Sequence, residues 1–132
     1  KGLRVLGPVR KNTQIEIAIT DAFTLGVEAM VRNSGNIAGT PGAKIVGPKG
    51  EVEIKEGVIV AARHIHMNTN EAKEFGVKDQ DIVKVKVNGF RGLVYDNVLV
   101  RSGEGHKLEM HVDMEEGNAA GVKNGDLVEI IK

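Results

Sequence analysis

The residues best suited to chemistry are three histidines in two short apolar stretches. His64 and His66 stand two positions apart in Ala-Arg-His-Ile-His-Met-Asn, residues 62–68. Because side chains alternate between the faces of a strand, both imidazoles of an extended segment point the same way. His111 lies in a second strand-like run, residues 108–113. Two histidines from one strand and one from another are a common ligand set for catalytic zinc, so the sequence predicts a metal-dependent enzyme.

Several of these residues also have a less specific interpretation. A His-x-His pair taken alone is more often the polar face of a strand than a metal site. His106 follows the run Ser-Gly-Glu-Gly and is expected to be solvated rather than ligating. Arg63 either orients phosphate or pairs with a carboxylate. Glu109 and Asp113 either support His111 or face solvent, and the sequence leaves both choices open.

Composition narrows the function classes. The 132 residues suffice for one domain or two very small ones, and 18 basic residues balance 18 acidic ones. Zero net charge and the scarcity of aromatic residues argue against a nucleic-acid partner. Because the chain has no cysteine, any metal must be held by histidine and carboxylate. No apolar run is long enough to span a membrane and no secretory signal is visible, so we expect no membrane partner and a cytoplasmic location.

Alternation of apolar and polar residues predicts a mainly β protein. The alternating runs are 14–20, 82–87 and 127–131. Gly-Pro-Lys-Gly at 47–50 separates two further runs and predicts a hairpin turn rather than a phosphate-binding loop. Asn88-Gly89 predicts another turn. Short helices are predicted over 70–75 and 115–120, the first after a cap at Asn68 or Thr69, and each ended by a glycine.

The chain repeats a short pattern of a helical turn, Gly-Val, a polar turn, an aspartate and an alternating strand. Two copies begin at Ala72 and Asn118, and a degraded copy covers 21–27. Aligning the copies places Glu16 opposite His111. We therefore expect two related halves in the chain, with a possible ligand at equivalent positions of each.

The same repeat predicts a His-x-His strand in the first half, ahead of residue 1. Residues 1–5 already lie inside an alternating pattern. We expect the first half to lack its N-terminal part because the chain is truncated or cleaved. The missing segment would then be absent or form a separate chain.

With these motifs in place, the sequence resembles the phosphate acyltransferases of the bacterial microcompartment type, the PduL-like phosphate propanoyltransferases. The resemblance spans nearly the whole chain and is strongest in seven stretches: 6–10, 14–17, 20–23, 32–35, 57–67, 96–101 and 109–113. It implies reversible transfer of a short acyl group, propanoyl or acetyl, between coenzyme A and inorganic phosphate. It also implies a fold of two related small β-barrels with short capping helices, over residues 1–60 and 61–132, the first lacking its N-terminal strand or strands. The implied setting is propanediol degradation, inside a bacterial microcompartment.

The resemblance further implies a set of site residues and two metal ions, usually zinc. His64, His66 and His111 would bind one metal, and Glu16 would bind the other together with the missing histidine pair. Arg10 matches an arginine that contacts phosphate. Coenzyme A contacts are implied for Arg4, Leu6 and Asn118. A homo-oligomer is compatible with the resemblance, and the oligomeric state is left open.

The expected mechanism is metal-assisted direct attack of phosphate on the thioester, without an acyl-enzyme, since no cysteine or Gly-x-Ser-x-Gly elbow is present. Arg10 would supply a planar fork for phosphate. Two alternatives remain: a histidine–metal hydrolase that activates water, and a swapped-barrel regulatory module that needs no histidine triad. The sequence fixes neither the acyl-chain preference nor the metal.

Overall fold

The computed structural model describes residues 2–131, which form two compact units divided between Ala61 and Ala62. The chain is mainly β with short helices, as predicted. Ten strands and three helices follow in the order β1 (Ile15–Glu16), α1 (Ile19–Leu25), β2 (Val31–Arg32), β3 (Ala43–Gly47), β4 (Gly50–Ile54), β5 (Val58–Ala61), β6 (His64–Met67), α2 (Thr69–Phe75), β7 (Ile82–Val87), β8 (Leu93–Ser102), β9 (Glu109–His111), α3 (Met114–Ala120) and β10 (Glu129–Ile131). None of the helices in this described part is long and apolar enough to cross a membrane.

The first unit contains a three-stranded sheet and a hairpin. β5 lies between β1 and β2 and pairs in parallel with both, and its Val58, Ile59 and Val60 are buried. The predicted hairpin is confirmed: β3 and β4 pair antiparallel from Ala43 opposite Ile54 to Gly47 opposite Gly50. The turn therefore consists of two residues, Pro48 and Lys49.

The second unit is built on a five-stranded sheet in the order β10-β7-β8-β6-β9. The histidine strand β6 pairs in parallel with β8 on one side and antiparallel with the edge strand β9 on the other. Its apolar side chains, Ile65 and Met67, turn inward and are buried. They join a core cluster formed with Ala72, Val77, Val85, Val87, Tyr95, Val98, Val100 and Ala120. Burial of one face of β6 leaves the histidines on the other face.

The helices repeat one local structure, which confirms the internal repeat. The glycines that end α1, α2 and α3 are all left-handed, with φ of 67°, 66° and 70°. In each case the residue after the glycine donates its N–H to a carbonyl five residues earlier. Asn68 caps α2, as predicted, and Asp113 caps α3.

Two of the predicted strands are shorter in the structure. Only Ile15–Glu16 of the run 14–20 is a strand, because α1 begins at Ile19 and the Ala18 N–H donates to the Asp21 carboxylate. A strand that runs into a capped helix cannot keep its ladder. The run 127–131 forms a strand only from Glu129, whereas 82–87 forms β7 in full.

Candidate functional site

The structure brings the three predicted histidines to one face of the second unit. His64 and His66 occupy alternate positions of β6, and His111 is the direct cross-strand partner of His64. The three ring centres form a nearly equilateral triangle: 4.8 Å separates His64 from His66, and 4.9 Å separates each from His111. The register of β9 against β6, which no local pattern determines, creates this arrangement.

A backbone hydrogen bond orients the ring of His64, and burial lowers the pKa of His66. Nδ1 of His64 donates to the Ala62 carbonyl oxygen at 2.8 Å, which assigns the proton of a neutral His64 ring to Nδ1. Burial, followed by repulsion from protonated His64 and His111, lowers the pKa of His66 to about 4. His66 is therefore neutral near pH 7, which is the form that binds metal.

One of the two carboxylates considered beside His111 contacts it. Oε2 of Glu109 lies 3.4 Å from Nε2 of His111. The carboxylate of Asp113 instead accepts the Glu116 N–H at 2.8 Å and caps α3. Glu109 is therefore the carboxylate placed to orient His111, and Asp113 has a structural role in the helix start.

The donor set fits a divalent cation, although its donor atoms do not converge in this conformation. Within residues 2–131, no group of three or more His, Asp or Glu side chains is arranged to hold a metal ion. His111 turns Nε2 toward Glu109 instead of toward the other rings. Three imidazoles on one zinc, at Zn–N distances of about 2.0–2.1 Å, would have ring centres about 5 Å apart, which is close to the spacing seen. Convergence therefore requires rotation of side chains and no change of register.

A fourth imidazole extends the cluster. The half-buried ring of His106 lies 4.6 Å from that of His66, and its Nδ1 lies 3.1 Å from the Arg101 carbonyl oxygen. This contact could not be predicted from the sequence pattern, because His106 belongs to a glycine-rich loop without periodicity. The only available signal was the short separation of this loop from His111.

In the first unit, Arg10 and Glu16 are linked through two residues that sequence reasoning did not single out. Nη1 of Arg10 and Nε2 of Gln14 donate to Oγ of Ser34 at 3.1 and 3.0 Å. The Gln14 amide nitrogen also donates to Oε1 of Glu16 at 2.9 Å, and its oxygen accepts the Gly35 N–H at 2.7 Å. The spacing of Gln14 and Glu16, two apart in one alternating run, was a usable signal for this pair.

Arg10 also faces a small depression of the first unit. The other residues that line it are Lys11, Asn12, Gln14, Gly35 and Ile37. Two basic side chains beside an amide favour an anion, and an arginine can bind phosphate through two parallel hydrogen bonds. The chemistry of this depression therefore agrees with the phosphate role predicted for Arg10.

The three residues predicted to contact coenzyme A lie in different settings. Arg4 and Leu6 are exposed and lie outside helices and strands. Asn118 is exposed on α3, and its carbonyl oxygen accepts the Gly121 N–H at the helix end. Their contacts with coenzyme A stay predictions, as does the metal role of Glu16.

Comparison with known proteins now places the chain in a family. A family model described as phosphate propanoyltransferase matches residues 1–123. The phosphate propanoyltransferase of Thermotoga maritima is 55% identical over 133 residues, covering 100% of this chain and 63% of that protein. Those of Salmonella typhimurium and Listeria monocytogenes are 49% and 48% identical, covering 94% and 97% of this chain and 60% of each relative.

The chain belongs to the phosphate propanoyltransferase family, as the resemblance in its sequence predicted. It spans 63% of the length of the Thermotoga maritima relative and 60% of the length of the other two.

Proposed function

We propose that this chain provides the reaction site of a phosphate acyltransferase. The enzyme moves a short acyl group, propanoyl or acetyl, from coenzyme A to inorganic phosphate and back. In the forward direction a phosphate oxygen attacks the thioester carbonyl carbon, the C–S bond breaks, and coenzyme A leaves as the thiolate. Acyl phosphate and free coenzyme A are the products.

The observation that carries this proposal is the triangle of His64, His66 and His111 in a chain of this family. The three rings come from two strands, lie within 4.9 Å of one another and stand on the polar face of β6. A regulatory module would have no use for such a cluster. Glu109 and the Ala62 carbonyl further restrict the rings, as ligand-orienting groups do in known metal sites.

We propose that these three histidines hold one divalent cation, with zinc as the first candidate, and that Glu16 contributes to a second ion. When bound, such an ion polarises the thioester carbonyl and offsets the negative charge of the substrates. With the proton of His64 on Nδ1, its Nε2 would be the ligating nitrogen, and the neutral ring of His66 would supply a second one.

In this proposal, side chains of the first unit bind phosphate and orient the Glu16 carboxylate. Arg10 binds and orients the phosphate nucleophile, while Ser34 holds its Nη1 at 3.1 Å and so limits its rotamers. Gln14 fixes the Glu16 carboxylate through its amide nitrogen. Because phosphate is already ionised at neutral pH, no strong general base is needed. Exclusion of water is the remaining requirement, since water competes for the thioester.

The barrel architecture, the coenzyme A contacts, the location and the oligomeric state are also proposals. We propose two related β-barrels, the first completed by a segment with its own His-x-His strand, supplied in the same or a separate chain. Coenzyme A would contact Arg4, Leu6 and Asn118. A microcompartment location and a homo-oligomeric state are consistent with the family and stay predictions.

The decisive experiment measures acyl-coenzyme A turnover with and without phosphate, together with metal content by elemental analysis. It is done on this chain alone and on this chain supplied with a preceding His-x-His segment. We expect two metals and phosphate-dependent turnover when the segment is present. Turnover that does not need phosphate would indicate a hydrolase. Absence of both metal and turnover in either form would contradict the proposal and favour a regulatory module.

A further inference from the structure

Arg63 stands directly before the histidine strand and is held by three neighbours. Its Nε donates to the Asp96 carbonyl oxygen at 2.7 Å, and its Nη1 donates to Oε1 of Glu116 at 2.9 Å. The guanidinium also lies over the Tyr95 ring, with 5.5 Å between Cζ and the ring centre. The side chains of Arg63 and Glu116 are only 28% and 23% exposed, so solvent screens this ion pair less than a surface pair.

Glu116 connects this contact to the chain segment that carries His111. It is the third residue of α3 and lies five positions after His111. Its Oε2 accepts the Asp113 N–H at 3.1 Å, and its carbonyl oxygen accepts from the Tyr95 hydroxyl. One carboxylate therefore completes the helix cap with one oxygen and binds Arg63 with the other.

The backbone of β8 departs from regular pairing where it meets Arg63. The register of β7 against β8 shifts between Val83 and Val85. Asn97, the residue after Asp96, has a left-handed φ of 53°, which is uncommon for a residue other than glycine. Bulges re-aim strand groups and occur often beside functional sites. Here the irregularity accompanies the hydrogen bond from Arg63 to the Asp96 carbonyl.

The position of His111 in the histidine triangle depends on β9, an edge strand with little backbone pairing. β9 is the last strand of its sheet and pairs with β6 at only three positions, one of which is His64 opposite His111. Short edge strands fray, and a slip of one residue would turn His111 to the other face. A contact outside the three paired positions is therefore needed to keep β9 in register with β6.

We propose that the Arg63–Glu116 ion pair is the latch that holds His111 against His64 and His66. It joins the residue before His64 to the helix that follows His111, so it restrains the end of the β6–β9 ladder at which His64 faces His111. Arg63 and Glu116 are positioning residues, and this role deepens the proposed function because it rests on the proposed metal site. Since Nε and Nη1 of Arg63 bind the Asp96 carbonyl and the Glu116 carboxylate, this edge of the guanidinium is engaged within the protein.

The internal repeat supplies a matched control. Glu71 is the third residue of α2, and its Oε2 accepts the Asn68 N–H at 2.7 Å in an equivalent capping box. In the part of the chain that the structure describes, no ion pair involves Glu71. Glu116→Gln keeps an oxygen for the cap but loses the charge that binds Arg63. Glu71→Gln changes an equivalent cap without touching the latch.

The test combines two readouts on this chain. The first is the affinity for Co²⁺ by absorption titration. The second is the NMR cross-relaxation between the ring protons of His64 and His111 in the metal-free chain. For Glu116→Gln we expect about ten- to a hundredfold weaker Co²⁺ binding and loss of the ring contact. For Glu71→Gln we expect neither, even if its thermal unfolding midpoint falls equally.

Further variants distinguish a failure of the ion-pair proposal from a failure of the metal proposal. Arg63→Met removes the same ion pair and also the contact with the Asp96 carbonyl, so it should weaken Co²⁺ binding at least as much as Glu116→Gln. The double variant should lose little more than Arg63→Met alone, since the ion pair is already absent. If Glu116→Gln keeps both the Co²⁺ affinity and the ring contact, the latch is wrong. If the unmutated chain binds no Co²⁺, the metal proposal fails, yet the ring contact still decides whether the ion pair positions His111.

Discussion

Replacement of His111 by alanine tests the proposed metal site with little disturbance of the fold. The His111 side chain is 45% exposed, and its Nε2 lies 3.4 Å from Oε2 of Glu109. Exposed substitutions of this kind change the free energy of unfolding by about 0.5 kcal/mol or less. The metal-free His111→Ala chain should therefore unfold at nearly the same temperature as the unmutated chain.

The same substitution should have a large effect on metal affinity. Zinc bound by four protein ligands contributes about 10–16 kcal/mol, so one ligand accounts for about 3–4 kcal/mol. At about 1.4 kcal/mol per tenfold, loss of the third imidazole weakens binding by roughly a hundred- to a thousandfold. The two imidazoles left on β6, 4.8 Å apart, retain the residual affinity.

Competition titration with a chelating dye measures this difference, and thermal unfolding of the metal-free chain measures the fold. His106→Phe is the comparison, because it keeps a ring beside His66 and removes only the nitrogens. We expect this variant to bind metal nearly as well as the unmutated chain. If His111→Ala keeps the original affinity at an unchanged unfolding temperature, then His111 is not a ligand and the triangle of rings has another role.

Three further substitutions test the phosphate role and the fold. Arg10→Lys keeps the charge but loses the planar fork, so the KM for phosphate should rise about tenfold or more in steady-state assays, while Arg32→Lys in the same unit leaves it unchanged. Gly121→Ala should destabilise the chain by about 1–2 kcal/mol in urea unfolding, because φ is +70° and the new Cβ would lie 3.3 Å from the side chain of Arg91. Met67→Ala should cost about 2–5 kcal/mol, because Met67 is 0% exposed, whereas Met114→Ala at 75% exposure should cost little. A small effect at Met67 would contradict the assignment of the core.

Much of the local structure could be predicted from the sequence because it depends on near neighbours. The alternation of His64 to Met67 placed the histidines on one face, and the structure confirms it. The capping residues and glycines set the limits of α2 and α3 within a residue or two of the prediction. The exceptions are the runs 14–20 and 127–131, which form strands only over Ile15–Glu16 and Glu129–Ile131. In the first run the alternation continues into α1, which begins at Ile19.

The strands, the helix limits, the internal repeat and the family could therefore be predicted from the order of residues alone. Which distant side chains meet depends on the folded chain. The pairing of His64 with His111, the approach of His106 to His66 and the contact of Arg63 with Glu116 join residues 40 to 53 positions apart. Such contacts follow from strand register and sheet order, which are set by the packing of the whole core and leave no periodic trace in the chain.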